Sequence, residues 1–180
     1  MLFGEYGIAM QRKLAIAEYH FEELHRVSTA PDGYGLPPIP LQAHFEAGGR
    51  AIASMLDQLA TGVVEILTPF LPGLPGPSAA YVHTLLEPLP ASELRDLLGK
   101  VRSDLRYCDL RAWRNRATHR FDRKAAMDGV WIVQPTEECD MDVEPRDVTG
   151  YLNTMLDYGR WILEIAPEAE RFAVELRDRL

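Results

Sequence analysis

A mainly α chain, folded as an up-and-down bundle of four to six helices in one domain over residues 1–180, is predicted by three observations. Apolar residues recur at three- and four-residue spacing over long stretches. Prolines gather in two segments, four between Pro31 and Pro40 and six between Pro69 and Pro90. Apolar residues make up 47% of a 180-residue chain, enough to close a core without metals or disulfides.

Leu14, Ala17, Phe21, Leu24 and Val27 keep the helical period and predict a first amphipathic helix from about Glu5 to Thr29. Proline removes a backbone donor and clashes with the preceding turn, so both proline-rich stretches read as connections. Between them, Phe45, Ile52, Leu56, Leu59, Val63 and Ile66 mark a second helix from about Leu41 to Leu67, in which Gly48-Gly49 lets a neighbour approach closely. Ala79 to Leu86 has room for two turns. Ser92 is a good N-cap, Glu93 favours the helix dipole, and Leu94, Leu97, Leu98, Val101, Leu105 and Leu110 continue one long helix.

After Phe121 the pattern changes. Gly129-Val130-Trp131-Ile132-Val133 is short, β-branched and ended by Pro135, which predicts a strand-like excursion or hairpin after the motif helix. Glu137 to Glu144 reads as a solvated acidic loop. From Pro145 a last helix carries Val148, Leu152, Met155, Ile162 and Ile165 on one face, with Pro167 expected to restart it as a terminal segment.

The two cysteines, Cys108 and Cys139, form no Cys-x-x-Cys pair and read as reduced thiols of a cytoplasmic protein. Glu5 and Arg12-Lys13 interrupt any apolar run of signal-peptide length, and Glu65 with the following glycine-proline loop breaks the best candidate for a membrane span.

Net charge is −8, which argues against coating nucleic acid by bulk electrostatics. The distribution is uneven. Lys100 to Lys124 holds nine basic residues against three acidic ones, a local balance of +6, so the remainder stands at −14. A basic stripe inside an acidic protein is a polyanion site by field focusing, or else a solvated helix face paired to carboxylates.

Within that stripe lies Arg114-Asn115-Arg116-Ala117-Thr118-His119. The Arg, the Asn after it, three variable positions and the His resemble the signature of the HEPN superfamily, set on a helix of an all-helical bundle. The specific likeness covers six residues, and the helical order agrees along the chain. The resemblance implies a metal-independent endoribonuclease without cofactor, commonly a homodimer binding RNA, often the toxin of a toxin-antitoxin or phage-defence system with a cognate antitoxin. It further implies that Arg114 polarises the scissile phosphate, Asn115 orients the site and His119 acts as acid or base. The residue types suit that chemistry on their own terms. RNA supplies its 2′-hydroxyl as nucleophile, imidazole moves protons near neutral pH, and guanidinium offers a fork of donors to phosphate oxygens.

At about 100° per residue, Arg114 and His119 diverge by about 140° around a straight helix, whereas Asn115 and His119 are about 40° apart. Either the helix ends near His119 or two copies of the motif assemble one site across a twofold axis. Arg111 lies on the Asn115–His119 side and Arg116 and Arg120 form an i, i+4 pair, so these three are the expected RNA-backbone contacts, with surface ion pairing as their competing role. Tyr107 interleaves with the basic residues, as do Trp113 and Phe121. Tyr107 is counted as a stacking contact, with core or dimer packing as its alternative.

Glu22-x-x-His25 has the spacing of a di-iron bundle pair but has no second such pair, and His20, His44 and His83 stand singly along the sequence, so no metal is implied. The alternative to the ribonuclease is a non-catalytic HEPN-like helical module that binds a protein partner or a nucleotide.

Overall fold

The long amphipathic periods become long helices in a computed structural model of the chain, which describes residues 3–28, 38–111, 130–131 and 146–180. Helix α1 spans Phe3–Ser28 and α2 spans Pro38–Leu67. A 3-10 turn, Pro77–Ala79, and a one-turn helix α3, Val82–Leu85, follow. Then come α4, Glu93–Ser103, and α5, described over residues 105–111. Helix α6 runs Val148–Arg177. The mainly helical bundle read from the sequence is the observed architecture.

Helices α1, α2 and α6 pack on one another to form the body of the bundle. The pairing of α1 with α2 is antiparallel: Tyr6 near the start of α1 hydrogen-bonds Glu65 near the end of α2, while His20 near the end of α1 meets His44 near the start of α2. Met10, Leu14, Ala17, Phe21 and Leu24 of α1 interlock with Ile52, Met55, Leu59 and Val63 of α2. Two glycines set the approach of the helices. A Cβ on Gly48 would meet the Phe21 ring, with Cδ1 2.6 Å and Cζ 2.9 Å away, so the aromatic ring occupies the space a side chain would need. Gly159 of α6 sits against Leu14 of α1 and Met55 and Ile52 of α2, at 3.0, 3.6 and 3.8 Å from where its Cβ would stand.

Several boundaries differ from the expected ones for identifiable reasons. Helix α2 begins at Pro38, so Pro38 and Pro40 belong to its first turn and not to the connection. A first-turn residue has no intrahelical acceptor for its N–H, so proline costs nothing there. Pro167 does not restart the last helix, since α6 continues through it. Its ring is on the exposed side, and Ile165, Ala166, Ala169 and Ala173 hold the backbone to the core on both sides of it.

The predicted single helix from Ser92 through Leu110 is two. Ser92 caps α4 as expected, its Oγ accepting from the Arg95 backbone N–H at 3.3 Å. At Asp104 the backbone becomes extended (ψ 132°), and the residue caps α5 by accepting the Arg106 N–H on Oδ1 at 2.9 Å and the Tyr107 N–H on its carbonyl at 3.0 Å. The break rephases the apolar period. Leu105, assigned to the core by periodicity, is 56% exposed, while Tyr107 and Leu110 are buried.

The strand-like excursion is present as a short antiparallel ladder, with Val130 opposite Asp147 and Trp131 opposite Arg146. The expected acidic loop at Glu137–Glu144 lies outside the described residues. Among the described residues no helix is long and apolar enough to cross a membrane.

Candidate functional site

The approach to the Arg114–His119 motif is built by α4, the Asp104 corner and the first turns of α5. Arg114, Asn115, Arg116, His119 and Arg120 lie outside the described residues. Arg111 and Tyr107 are within them.

Arg106 fixes the start of α5. Its Nε donates to Asp104 Oδ1 at 2.9 Å and its Nη2 to Oδ2 at 2.7 Å, a two-pronged pair that holds the Asp104 carboxyl below its ordinary range. The same guanidinium lies over the Tyr158 ring at 4.7 Å and near the Trp161 ring at 5.7 Å, tying α5 to α6. Tyr158 is fully buried and its hydroxyl donates to the Val101 carbonyl at 3.4 Å, so α4 is fastened to the same point.

Among the described residues the stripe holds one cation paired with a carboxylate and three without such a partner. Arg106 is neutralised by Asp104. Among the described residues no carboxylate bonds to the exposed Lys100, Arg102 or Arg111, whereas the arginines of α6 at 160, 171 and 177 all pair with acids.

Tyr107 does not stand open for a base. It is only 5% exposed, and its hydroxyl lies 3.2 Å from His83 Nδ1. Its assignment as a stacking contact is therefore corrected: it packs in the core, because the Asp104 corner turns that face of α5 inward. Burial raises its phenol above the ordinary tyrosine value, and the nearby Arg111 and Arg102 cations oppose the rise. The neutral phenol and His83 Nδ1 share one hydrogen bond, in which the donor is set by the imidazole tautomer. His83 in turn stacks on Tyr81, with centroids 5.5 Å apart and planes at 11°. Asp109, 4% exposed, is the one charged side chain buried among the described residues.

Two histidines that stand alone in sequence meet in space. His20 and His44 place their Nδ1 atoms 2.9 Å apart, with Tyr19 edge-on to both rings. Burial, and then the His44 charge, lowers the His20 pKa. Their separation of 24 positions gave no local signal, since only the register of α1 against α2 unites them. Among the described residues no three histidine, cysteine or acidic side chains gather as metal ligands. Comparisons of the chain with protein-family models, with curated proteins and with solved structures give no match.

Proposed function

We propose that this chain is a metal-independent endoribonuclease, acting as a homodimer, with Arg114, Asn115 and His119 as its catalytic set and a toxin or phage-defence role. Arg114 binds the scissile phosphate and offsets the charge that builds on it. His119 takes the 2′-hydroxyl proton or delivers one to the leaving 5′-oxygen, and Asn115 orients the two. Arg116 and Arg120 hold flanking phosphates together with Arg111. A cognate antitoxin is the expected protein partner.

The observation that carries this reading is a mixed one of sequence and charge. An Arg-Asn-x-x-x-His sequence follows directly on exposed cations, Lys100, Arg102 and Arg111, that no carboxylate pairs with among the described residues. Cations left in water keep their counterions and release them to a polyanion, the main source of affinity for nucleic acid.

The test is cleavage of single-stranded RNA in EDTA by the wild-type protein and by His119→Ala. Cutting that persists in chelator, spares the matching DNA and falls by about a hundredfold or more in the variant is expected. Strict dependence on a divalent ion, or full activity in His119→Ala, overturns the reading. RNA or nucleotide binding without any cleavage would point instead to the non-catalytic module.

A further inference from the structure

The outward face of α1 carries a row of apolar side chains that the bundle leaves exposed. Ile8, Ile16 and Tyr19 are 52%, 43% and 56% exposed, and they are three of the six large apolar side chains exposed among the described residues. At about 100° per residue they fall within about 80° of arc, opposite the buried Met10, Leu14, Ala17 and Phe21, so they form one stripe. Tyr19 meets the His20 and His44 rings edge-on and still keeps more than half of its surface open. Exposed Arg12 and Ala15 lie within the stripe, while Glu5 closes one end and the ion pair of Glu23 with Arg26 closes the other. Neither Glu5 nor Arg12 makes an ion pair among the described residues.

The order of these groups is its own reverse complement. When α1 is laid antiparallel on a second α1 so that Ala15 faces the partner's Ile16, Tyr19 falls opposite the partner's Arg12 and Glu5 opposite the partner's Arg26, since each pair is evenly spaced about the point between residues 15 and 16. The Arg12 stem and guanidinium then lie on a tyrosine ring, and the acid at one end meets the base at the other. A shallow crossing of about 20° keeps both ends within reach of these long side chains. A parallel pair would set Arg12 on the partner's Arg12 and Glu5 on the partner's Glu5. We propose that α1 is the isologous interface of this chain with a second copy of itself, the two helices antiparallel and crossing near Ala15 and Ile16. This rests on the homodimer in the reading above and not on the cleavage chemistry. A different protein would have to reproduce the same succession of acidic, apolar and basic groups, whereas a second copy supplies it. One helix face from each protomer is smaller than a standard interface, so the dimer is a weak one, with a Kd of about 1–100 μM.

The experiment is sedimentation equilibrium of the full chain over a wide range of concentration, with thermal melts to show that each variant is folded. Ile16→Glu, which sets two carboxylates beside the axis, and Arg12→Glu, which sets one beside the partner's Tyr19 and Glu23, are each expected to raise Kd by about tenfold or more. Phe70→Ser, at an exposed position away from α1, is expected to leave it unchanged. Orientation is read by cross-linking in a background with Cys108 and Cys139 changed to serine. A short bis-maleimide should join Ile16→Cys subunits, whose thiols meet near the axis, and not Ile8→Cys subunits, whose Cα atoms stand about 22 Å apart along the helices. A monomer at every concentration, a dimer whose Kd neither glutamate variant alters, or cross-linking of Ile8→Cys in preference to Ile16→Cys overturns the proposal. Cleavage of RNA is scored separately. A dimer that depends on α1 and does not cut refutes the ribonuclease and keeps the interface, and cleavage by a dimer that the glutamate variants leave intact does the reverse.

Discussion

His20 of α1 and His44 of α2 share a single hydrogen bond between their Nδ1 atoms, 2.9 Å apart, so one ring must donate there and the other must be bare. Protonating both rings would set two N–H groups against each other.

Stability is therefore expected to fall on mild acidification. The folded His20 pKa lies below the ordinary imidazole value, first through burial and then through His44. A lowered folded pKa means that the unfolded chain takes up the proton first. The contribution is complete above about pH 6.5 and is lost as pH falls from there through the folded value. Thermal melts at about pH 7.5 and pH 5.5 should show a drop in Tm for the wild type and a smaller drop for His20→Gln. Equal drops would remove the pair from the account.

Gly48→Ala should cost about 1–3 kcal/mol in denaturant unfolding, because the new Cβ collides with Phe21, a buried ring that has little freedom to retreat. Shortening that ring in the double variant Phe21→Leu, Gly48→Ala should recover part of the loss. A simple sum of the two single effects would show that the sites are not in contact.

Arg106→Met keeps the length of the side chain over Tyr158 and Trp161 but leaves Asp104 without its two-pronged partner. With the Arg106 and Asp104 side chains 29% and 21% exposed, the expected loss is about 1–2 kcal/mol near neutral pH. Because the Asp104 pKa is lowered mainly by its hydrogen bond to Arg106, this stabilisation is present above the ordinary aspartate value and fades as pH falls through the folded one. Urea titrations of both proteins should thus converge in acid.

On the proposed ribonuclease reading, the products should end in a 2′,3′-cyclic phosphate or its hydrolysed form, since in that reading the attacking oxygen belongs to the ribose. End-group analysis that finds 3′-hydroxyl and 5′-phosphate termini would require an activated water and a different set of residues.

Mixing Arg114→Ala with His119→Ala subunits should restore part of the cleavage activity if one site draws Arg114 from one protomer and His119 from the other, as the proposed homodimer would require were the motif on a straight helix, where the two diverge by about 140°. Light scattering must first show a dimer that exchanges subunits. A monomer with full activity is the outcome that refutes a composite site.

Long-period features were the legible ones. Leu14, Phe21, Leu24, Leu59 and Ile162 are buried where their spacing puts them, and Ser92 caps the helix it was expected to cap. Periodicity failed at Leu105 because one residue, Asp104, reset the phase, although Ser103-Asp104 ahead of a new apolar run is itself a cap signal. The charge count revealed a basic stripe but not which members were already paired, for that depends on whether an acid lies within reach of each head group. Arg106 has such an acid, and Arg102 and Arg111 have none among the described residues. The His20–His44 and Tyr81–His83–Tyr107 groupings depend on how helices seat against one another, which no local window contains.

The Asp104 corner makes the first turns of α5 a short lever, held along one side by the buried Tyr107 and Leu110. Its clamped end is Arg106, seated on Tyr158 and Trp161 of α6. Arg111, five residues further on, is about 7.5 Å away along the axis, so a tilt of about 10° at the clamp sweeps it sideways by about 1.3 Å. Displacements of that size at a reacting group cost about a hundredfold in rate. Repacking a buried residue of α6 such as Tyr158 thus becomes a means of moving Arg111 from a distance.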